Sequence, residues 1–440
     1  MIMLHRDEIL KKIMDAGIIG AGGAGFPTHV KLDCSAEAVI ANGLECEPLL
    51  RTDRIVMERL AGKVVSGLRA AMAAAGASRG VIALKKKYAH AIDALTAAIR
   101  GEAVELLLMD AYYPAGDEQQ IVYQAMGKAV PAGGLPLDVG AVVQNVATLV
   151  QVSDAMGGKP VTEKHVTVGG EVASPAVFNV PVGTPARLLI EAAGGPADLS
   201  GYSVIIGGPI MGRVMDDIDE PVTKTVGGLI VLPRRHALIQ KKTGSPQSDL
   251  KLARSVCCQC NFCTQLCPRY ALGLKVEPHK VMRAMALNAP AAGNMDGVLS
   301  CCECGVCSMY ACNFSLSPSR MMQRAKQELL AGGAKPEKKP AEPHGNIDYI
   351  KVPVKRLMAR LDLLRYDRDL PVGEGFQEVR SVRIPLKMHI GAPAAPVVGT
   401  GSFVHKGQLI AAAGGRVSAN VHASIQGKVT VRGDCIEIEG

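Results

Sequence analysis

Eight of the thirteen cysteines stand in two runs near the middle of the chain. The first is Cys257-x2-Cys260-x2-Cys263-x3-Cys267-Pro268, the second Cys301-x2-Cys304-x2-Cys307-x4-Cys312. Three thiolates at this spacing wrap one face of an iron–sulfur cube, and in two-cluster ferredoxins the fourth cysteine ligates the neighbouring cube. The spacing therefore predicts Cys257, Cys260, Cys263 and Cys312 on one [4Fe–4S] cluster, and Cys301, Cys304, Cys307 and Cys267 on the other. Zinc ribbons use two CxxC pairs instead. A disulfide framework belongs to a secreted chain, and a charged start (Asp7, Glu8, Lys11, Lys12) does not read as a signal peptide. The second run has x4 for x3 and Asn313 in place of proline. Cys258 and Cys302 each neighbour a ligand position and are expected to pack as small apolar residues. Two cubes side by side pass electrons one at a time.

A second chemical signal is Gly20-x-Gly22-x-x-Gly25, which has the glycine spacing of a dinucleotide-binding loop. A Rossmann loop follows a strand. This one follows residues 6–17, whose Ile9, Leu10, Ile13 and Met14 share one face of an amphipathic helix. Close glycines still let backbone N–H groups converge on a phosphate.

These residues must be positioned by several domains, because 440 residues exceed one ordinary core. Apolar content of 48% supports full folding, and the net charge of +8 is modest. The short basic groups have no interleaved aromatics, so a nucleic-acid surface is not expected. No apolar run is long enough to span a membrane, and a cytoplasmic chain is expected. Helices (61–76, 88–100) alternate with buried strands (39–41, 81–84), which predicts an α/β domain over residues 1–160. Strands flanking a single helix predict a small α+β module over 161–240. A helical cysteine domain is expected over 245–335, followed by a mobile linker, 333–346, rich in Lys, Pro and Glu. Residues 347–440 are β-rich and predict a barrel-sandwich of the lipoyl and biotinyl type. Its hairpin tip, Asn420-Val421-His422-Ala423-Ser424, lacks the lysine that carries a prosthetic group in those domains.

The stretch Gly20 to Leu32, with Asn42-Gly43-Leu44-Glu45-Cys46-Glu47-Pro48, Pro114-Ala115-Gly116-Asp117-Glu118-Gln119-Gln120 and Val143-Gln144-Asn145, resembles the flavin- and NADH-binding subunit family of respiratory complex I and the Rnf complexes. That resemblance implies a Rossmann-like FMN/NADH domain, a β-grasp (SLBB) module and a helical two-cluster ferredoxin domain. It assigns FMN to the loop glycines Gly20, Gly22, Gly23 and Gly25 together with Lys31, Asn42, Gln144 and Asn145. It also implies that Phe26 stacks on the nicotinamide dinucleotide and that Glu45, Glu47, Asp117 and Glu118 line the cofactor site. No side chain is assigned a catalytic role of its own. In the Rnf protein the segment like Lys387-Met388-His389-Ile390-Gly391-Ala392-Pro393 lies at the N-terminus; here it lies near the C-terminus. This order resembles the corrinoid-reducing flavoproteins of propanediol-utilisation microcompartments. It implies NADH as donor, cobalamin as acceptor, and a corrinoid adenosyltransferase and the compartment shell as partners in the compartment lumen. The other implied reading is an electron-relay subunit with a protein acceptor.

Overall fold

A computed structural model describes residues 5–289, 295, 297–373 and 379–440. The first domain contains α1 (Arg6–Asp15), α2 (Thr28–Leu32), β1 (Ala38–Gly43), α3 (Thr52–Arg59), α4 (Ala61–Ala75), β2 (Arg79–Lys85), α5 (Ala89–Ala98), β3 (Val104–Met109), β4 (Tyr112–Tyr113), α6 (Glu118–Met126), β5 (Ala141–Asn145) and α7 (Val146–Met156). Its sheet runs β3-β2-β1-β5, and all three pairings are parallel. Side chains alternate across a strand, so each strand feeds two cores. Val39, Ala41, Ile82 and Leu84 join α4 and α7, while Ile40, Val81 and Ala83 join Tyr112 and Ile121. This is why near-continuous apolar strands are needed here. Helices α4 and α7 meet backbone to backbone: a Cβ on Gly67 would lie 1.8 Å from the Leu149 carbonyl oxygen. Helix α1 buries Ile9 and Ile13 against α2, α4 and α7.

The second module holds β6 (Glu163–Gly170), β7 (Ala176–Pro181), α8 (Ala186–Ala192), β8 (Tyr202–Ile206), β9 (Arg213–Val214) and β10 (Gly228–Pro233). The sheet order is β7-β6-β10-β8-β9, with β6 and β10 parallel and the rest antiparallel. Leu189 and Ile190 of α8 pack on Val166, Val204 and Leu229.

The cysteine segment is a set of short helices: α9 (Ala237–Thr243), α10 (Pro246–Val256), α11 (Phe262–Gln265), α12 (Pro268–Ala271), α13 (Pro278–Ala286) and α14 (Pro318–Ala331). Four of them open on proline, at Pro246, Pro268, Pro278 and Pro318. Proline is tolerated there because the first helical N–H has no intrahelical partner. Each helix thus starts at a defined residue beside the cysteine loops.

Two expectations are corrected beyond this segment. The stretch 333–346 does not float. The Ala132 and Lys339 backbones exchange hydrogen bonds of 2.8 and 3.2 Å, and Lys338 pairs with Asp138 at 2.6 Å. Its polar backbone finds partners on the first domain. The barrel does not begin at residue 347 either. β11 (Val352–Pro353) pairs with β4, and α15 (Val354–Arg360) buries Leu357 and Met358 in a core shared with Tyr113, Ile205, Leu238 and Cys304. The apolar residues of 352–366 thus seal the junction of three domains.

The barrel follows, with β12 (Ser381–Pro385), β13 (Ala395–Pro396), β14 (Phe403–Val404), β15 (Leu409–Ala412), β16 (Val421–His422), β17 (Gly427–Arg432) and β18 (Cys435–Glu439). Two sheets, β12-β18-β17-β14 and β13-β15-β16, enclose Ile384, Ile410, Val421, Val429 and Ile436. The hairpin tip is buried against its neighbours. Lys224 donates to the Asn420 carbonyl at 2.9 Å and the Gly17 carbonyl at 2.7 Å, and the Ser424 hydroxyl donates to the Val182 carbonyl at 2.6 Å. Among the described residues, no helix is long and apolar enough to cross a membrane.

Candidate functional site

A cavity of about 1090 Å³ opens where three domains meet. The first domain contributes the glycine loop and the ends of β1 and β5. The α+β module contributes residues 206–213 and 220–227, and the cysteine segment contributes Cys302, Glu303 and Cys304. The loop is closed at its base by an Ile19–Pro27 bridge and by the Gly20 N–H donating to the Phe26 carbonyl at 2.9 Å. Gly22, Gly23 and Ala24 are left facing the cavity. The Ala21 N–H donates to the Thr148 hydroxyl at 2.9 Å, and the Lys164 ammonium donates to the Ala21 carbonyl at 2.8 Å. A lysine of β6 thereby holds the loop from the neighbouring module.

The strand ends supply polar side chains. Asn42 donates to the Gly116 carbonyl and accepts from the Leu44 N–H, both at 3.1 Å. Asn145 caps α7 through the Ala147 N–H and donates to Asp53 at 2.9 Å. Glu45 accepts the Asp53 N–H at 3.0 Å, and Lys85 donates to the Glu45 carbonyl. Burial, and then the neighbouring Glu45 carboxylate, push the Asp53 carboxyl up to about 7. Burial likewise brings Lys85 and Lys164 down to about 8.

Glu47 faces the α+β module. It accepts the Ile210 and Met211 N–H groups at 2.8 and 2.9 Å and the Tyr113 hydroxyl at 3.2 Å. The same hydroxyl lies 2.6 Å from the Cys304 carbonyl. Asp117 pairs with Arg269 at 2.6 Å, and the Gln120 amide donates to the Pro268 carbonyl at 2.9 Å. The start of α6 is thus bonded to the turn that follows Cys267.

Of the residues assigned by resemblance, Gly22, Gly23, Asn42, Glu45, Glu47, Asp117, Glu118 and Asn145 line the cavity. Gly20 and Gly25 shape the loop from behind, and Gly25 also accepts the Ile390 N–H of the barrel segment at 3.1 Å. Phe26 is half-buried beside the loop. Lys31 pairs with Glu118 at 2.7 Å, and Gln144 is buried in β5 with its amide nitrogen unpartnered. Sequence reasoning left Cys46, Asp53, Tyr113 and Lys164 without a role. Asp53 had a signal in the motif Thr52-Asp53-Arg54; Lys164 had none, since only folding brings β6 to the loop.

The cysteines fall into two neighbourhoods. Cys263 feels the charges of Cys312, Cys257 and Cys260, whereas Cys267 feels Cys301 and Cys302, and Cys304 feels Cys267 and Cys307. Cys312 thus lies with the first run and Cys267 with the second. Both runs share a backbone: Gln259 and Asn261 in one, Glu303 and Gly305 in the other, have positive φ. Such turns aim successive N–H groups inward, and the Glu303 N–H lies 3.4 Å from the Cys301 sulfur. Burial, and then neighbouring thiolates, push Cys263 and Cys301 up to about 12. A thiolate set of this kind calls for a cationic core, which an iron–sulfur cube supplies. The flavin fit rests on the exposed glycine backbone and on the buried, unpartnered Asp117 Oδ2 at the cavity wall.

Residues 13–154 match the Nuo51 FMN-binding domain, 165–214 the SLBB domain, 256–317 the 4Fe-4S dicluster domain, and 368–436 the RnfC barrel sandwich hybrid domain. The cobalamin reductase PduS of Salmonella typhimurium is 42% identical over 431 residues, which is 97% of this chain and 95% of that one. The RnfC-type component of the Na(+)-translocating ferredoxin:NAD(+) oxidoreductase complex of Acetobacterium woodii is 35% identical over 63% of this chain and 61% of its own. A solved NAD+-reducing [NiFe]-hydrogenase aligns with a TM-score of 0.50 at 23% identity, covering 76% of this chain and 63% of that chain. That likeness bears on the fold alone.

Proposed function

The chain belongs to the PduS cobalamin reductase family, and on that premise we propose that it passes electrons from NADH to the cobalt of a corrinoid. One NADH would reduce two cob(III)alamin to cob(II)alamin, releasing NAD+ and a proton. FMN supplies the exchange between hydride and single electrons, and the [4Fe–4S] clusters carry single electrons. Gly22, Gly23, Asn42 and Asn145 would hold the flavin. Lys164 keeps the loop in place, and Glu47 keeps residues 210–211 over the cavity. Cys257, Cys260, Cys263 and Cys312 would hold one cluster, and Cys267, Cys301, Cys304 and Cys307 the other.

The observation that carries this reading is the shared wall. Cys302, Glu303 and Cys304 line the same cavity as the glycine loop. The donor site and the second cysteine group therefore meet without an intervening layer of protein. The relay reading has less behind it, because the Rnf-type relative matches over only 63% of the chain. In a cell, a corrinoid adenosyltransferase would take the reduced cobalt, and the microcompartment lumen would be the setting. The test is anaerobic: the full chain with FMN, iron and sulfide restored receives NADH and hydroxocobalamin while the corrin spectrum is followed. Conversion to cob(II)alamin is expected. No conversion, with dye reduction intact, would replace this reading by the relay.

A further inference from the structure

A second cavity, of about 780 Å³, shares no lining residue with the first. It lies beside the cysteine groups. Leu266 and Ala311 of its wall pack on Cys263 and Cys307, while Phe262 and Asn313 are the chain neighbours of Cys263 and Cys312. Its far wall comes from residues 344–360, the segment sealed against the other domains by β11 and α15. The position is one that electrons reach after the cysteine groups, with the flavin cavity before them.

The lining has a chemistry of its own. Phe262 is 43% exposed, an unusual setting for a large apolar side chain beside a buried cysteine. Around the apolar floor stand the amides of Gln265 and Asn346 and the guanidinium of Arg356. Arg360 is already engaged: it donates to the Cys312 carbonyl at 2.6 Å and lies 6.0 Å from the centre of the Tyr310 ring. An apolar floor ringed by amides and one available cation suits a flat macrocycle that bears carboxamides at its edge and one anionic phosphodiester. A corrinoid has all three features.

We infer that this second cavity holds the corrinoid for reduction, with its ring edge over Phe262 and Leu266 and its phosphodiester toward Arg356. This rests on the function proposed above. The step is a one-electron reduction of cobalt, the electron coming from NADH, and the upper axial water leaves as the metal loses charge. A charge-assisted contact of this kind contributes at least about a tenfold change in affinity.

The experiment measures hydroxocobalamin binding to the oxidised, fully loaded chain by equilibrium dialysis, alongside NADH-driven ferricyanide reduction. Arg356→Glu, and separately Asn346→Leu, should weaken binding, Arg356→Glu by about tenfold or more. Ferricyanide turnover and iron content should stay at wild-type values. Cobinamide lacks the phosphodiester, so its affinity should fall far less in Arg356→Glu. Equal hydroxocobalamin affinity in both variants and wild type would overturn the site while leaving the function standing. Failure of the wild-type chain to bind or reduce hydroxocobalamin would overturn both.

Discussion

At the scale of single residues, the two cysteine neighbourhoods are not equivalent to the two sequence runs. Cys267 and Cys312 change places, because each run's fourth cysteine lies beyond a turn that carries it to the other group. Loaded chain should contain about eight iron atoms. Cys263→Ala and Cys304→Ala should each reduce this to about four, leaving distinct electron paramagnetic resonance signals. Iron near zero with stoichiometric zinc would contradict the cluster assignment. Asp53 supplies a second test. Its carboxyl, pushed up to about 7 by burial and then by Glu45, lies above the ordinary carboxylate range. A carboxyl with a raised folded-state pKa takes up a proton on folding, so its contribution to stability is lost as pH rises through that window. Asp53→Asn should therefore gain melting temperature relative to wild type, by more at pH 8 than at pH 5. A gap that stays constant with pH would show that Asp53 is ionised throughout.

Among elements, the tightest constraint lies between α1 and the barrel. Gly17 ends the helix with φ +66°, and a Cβ there would stand 2.2 Å from the Asn420 carbonyl oxygen. Lys224 bonds both carbonyls, so three domains meet at one glycine. Burial brings the Lys224 ammonium down to about 7, which fits a cation held by two carbonyls with no carboxylate beside it. Gly17→Ala combines a left-handed backbone cost of about 1–2 kcal/mol with that clash. It should lower the melting temperature by several degrees and open the 380–440 region to protease. An unchanged melting curve would mean that the barrel is not clamped here. The steric demand is absent from the sequence pattern, which marks Gly17 only as a helix stop.

For the whole molecule, the order of electron flow makes the sharpest prediction. The flavin cavity takes most of its wall from the first two domains, so loss of the clusters should spare hydride transfer, which needs only close stacking of donor on flavin. A folded Cys257→Ala/Cys304→Ala chain should keep single-turnover FMN reduction by NADH. It should lose most delivery to a corrinoid held by an adenosyltransferase. Wild-type delivery by that variant would make the clusters structural.

Much of this was legible in residue order. The cysteine spacing alone pairs Cys312 with the first run, because a cube needs four thiolates and the local loop presents three. Alternating apolar strands and helices predict the parallel sheet, because each strand must bury both faces. Other features waited for the tertiary structure. Lys164 meets the glycine loop across a domain boundary. Residues 352–366 seal a junction instead of starting the barrel, and Lys339 lies bonded to Ala132 in a stretch whose composition reads as a linker. Spacing reports neighbours a few residues apart. Contacts between domains depend on which surfaces fit, and no local pattern encodes that.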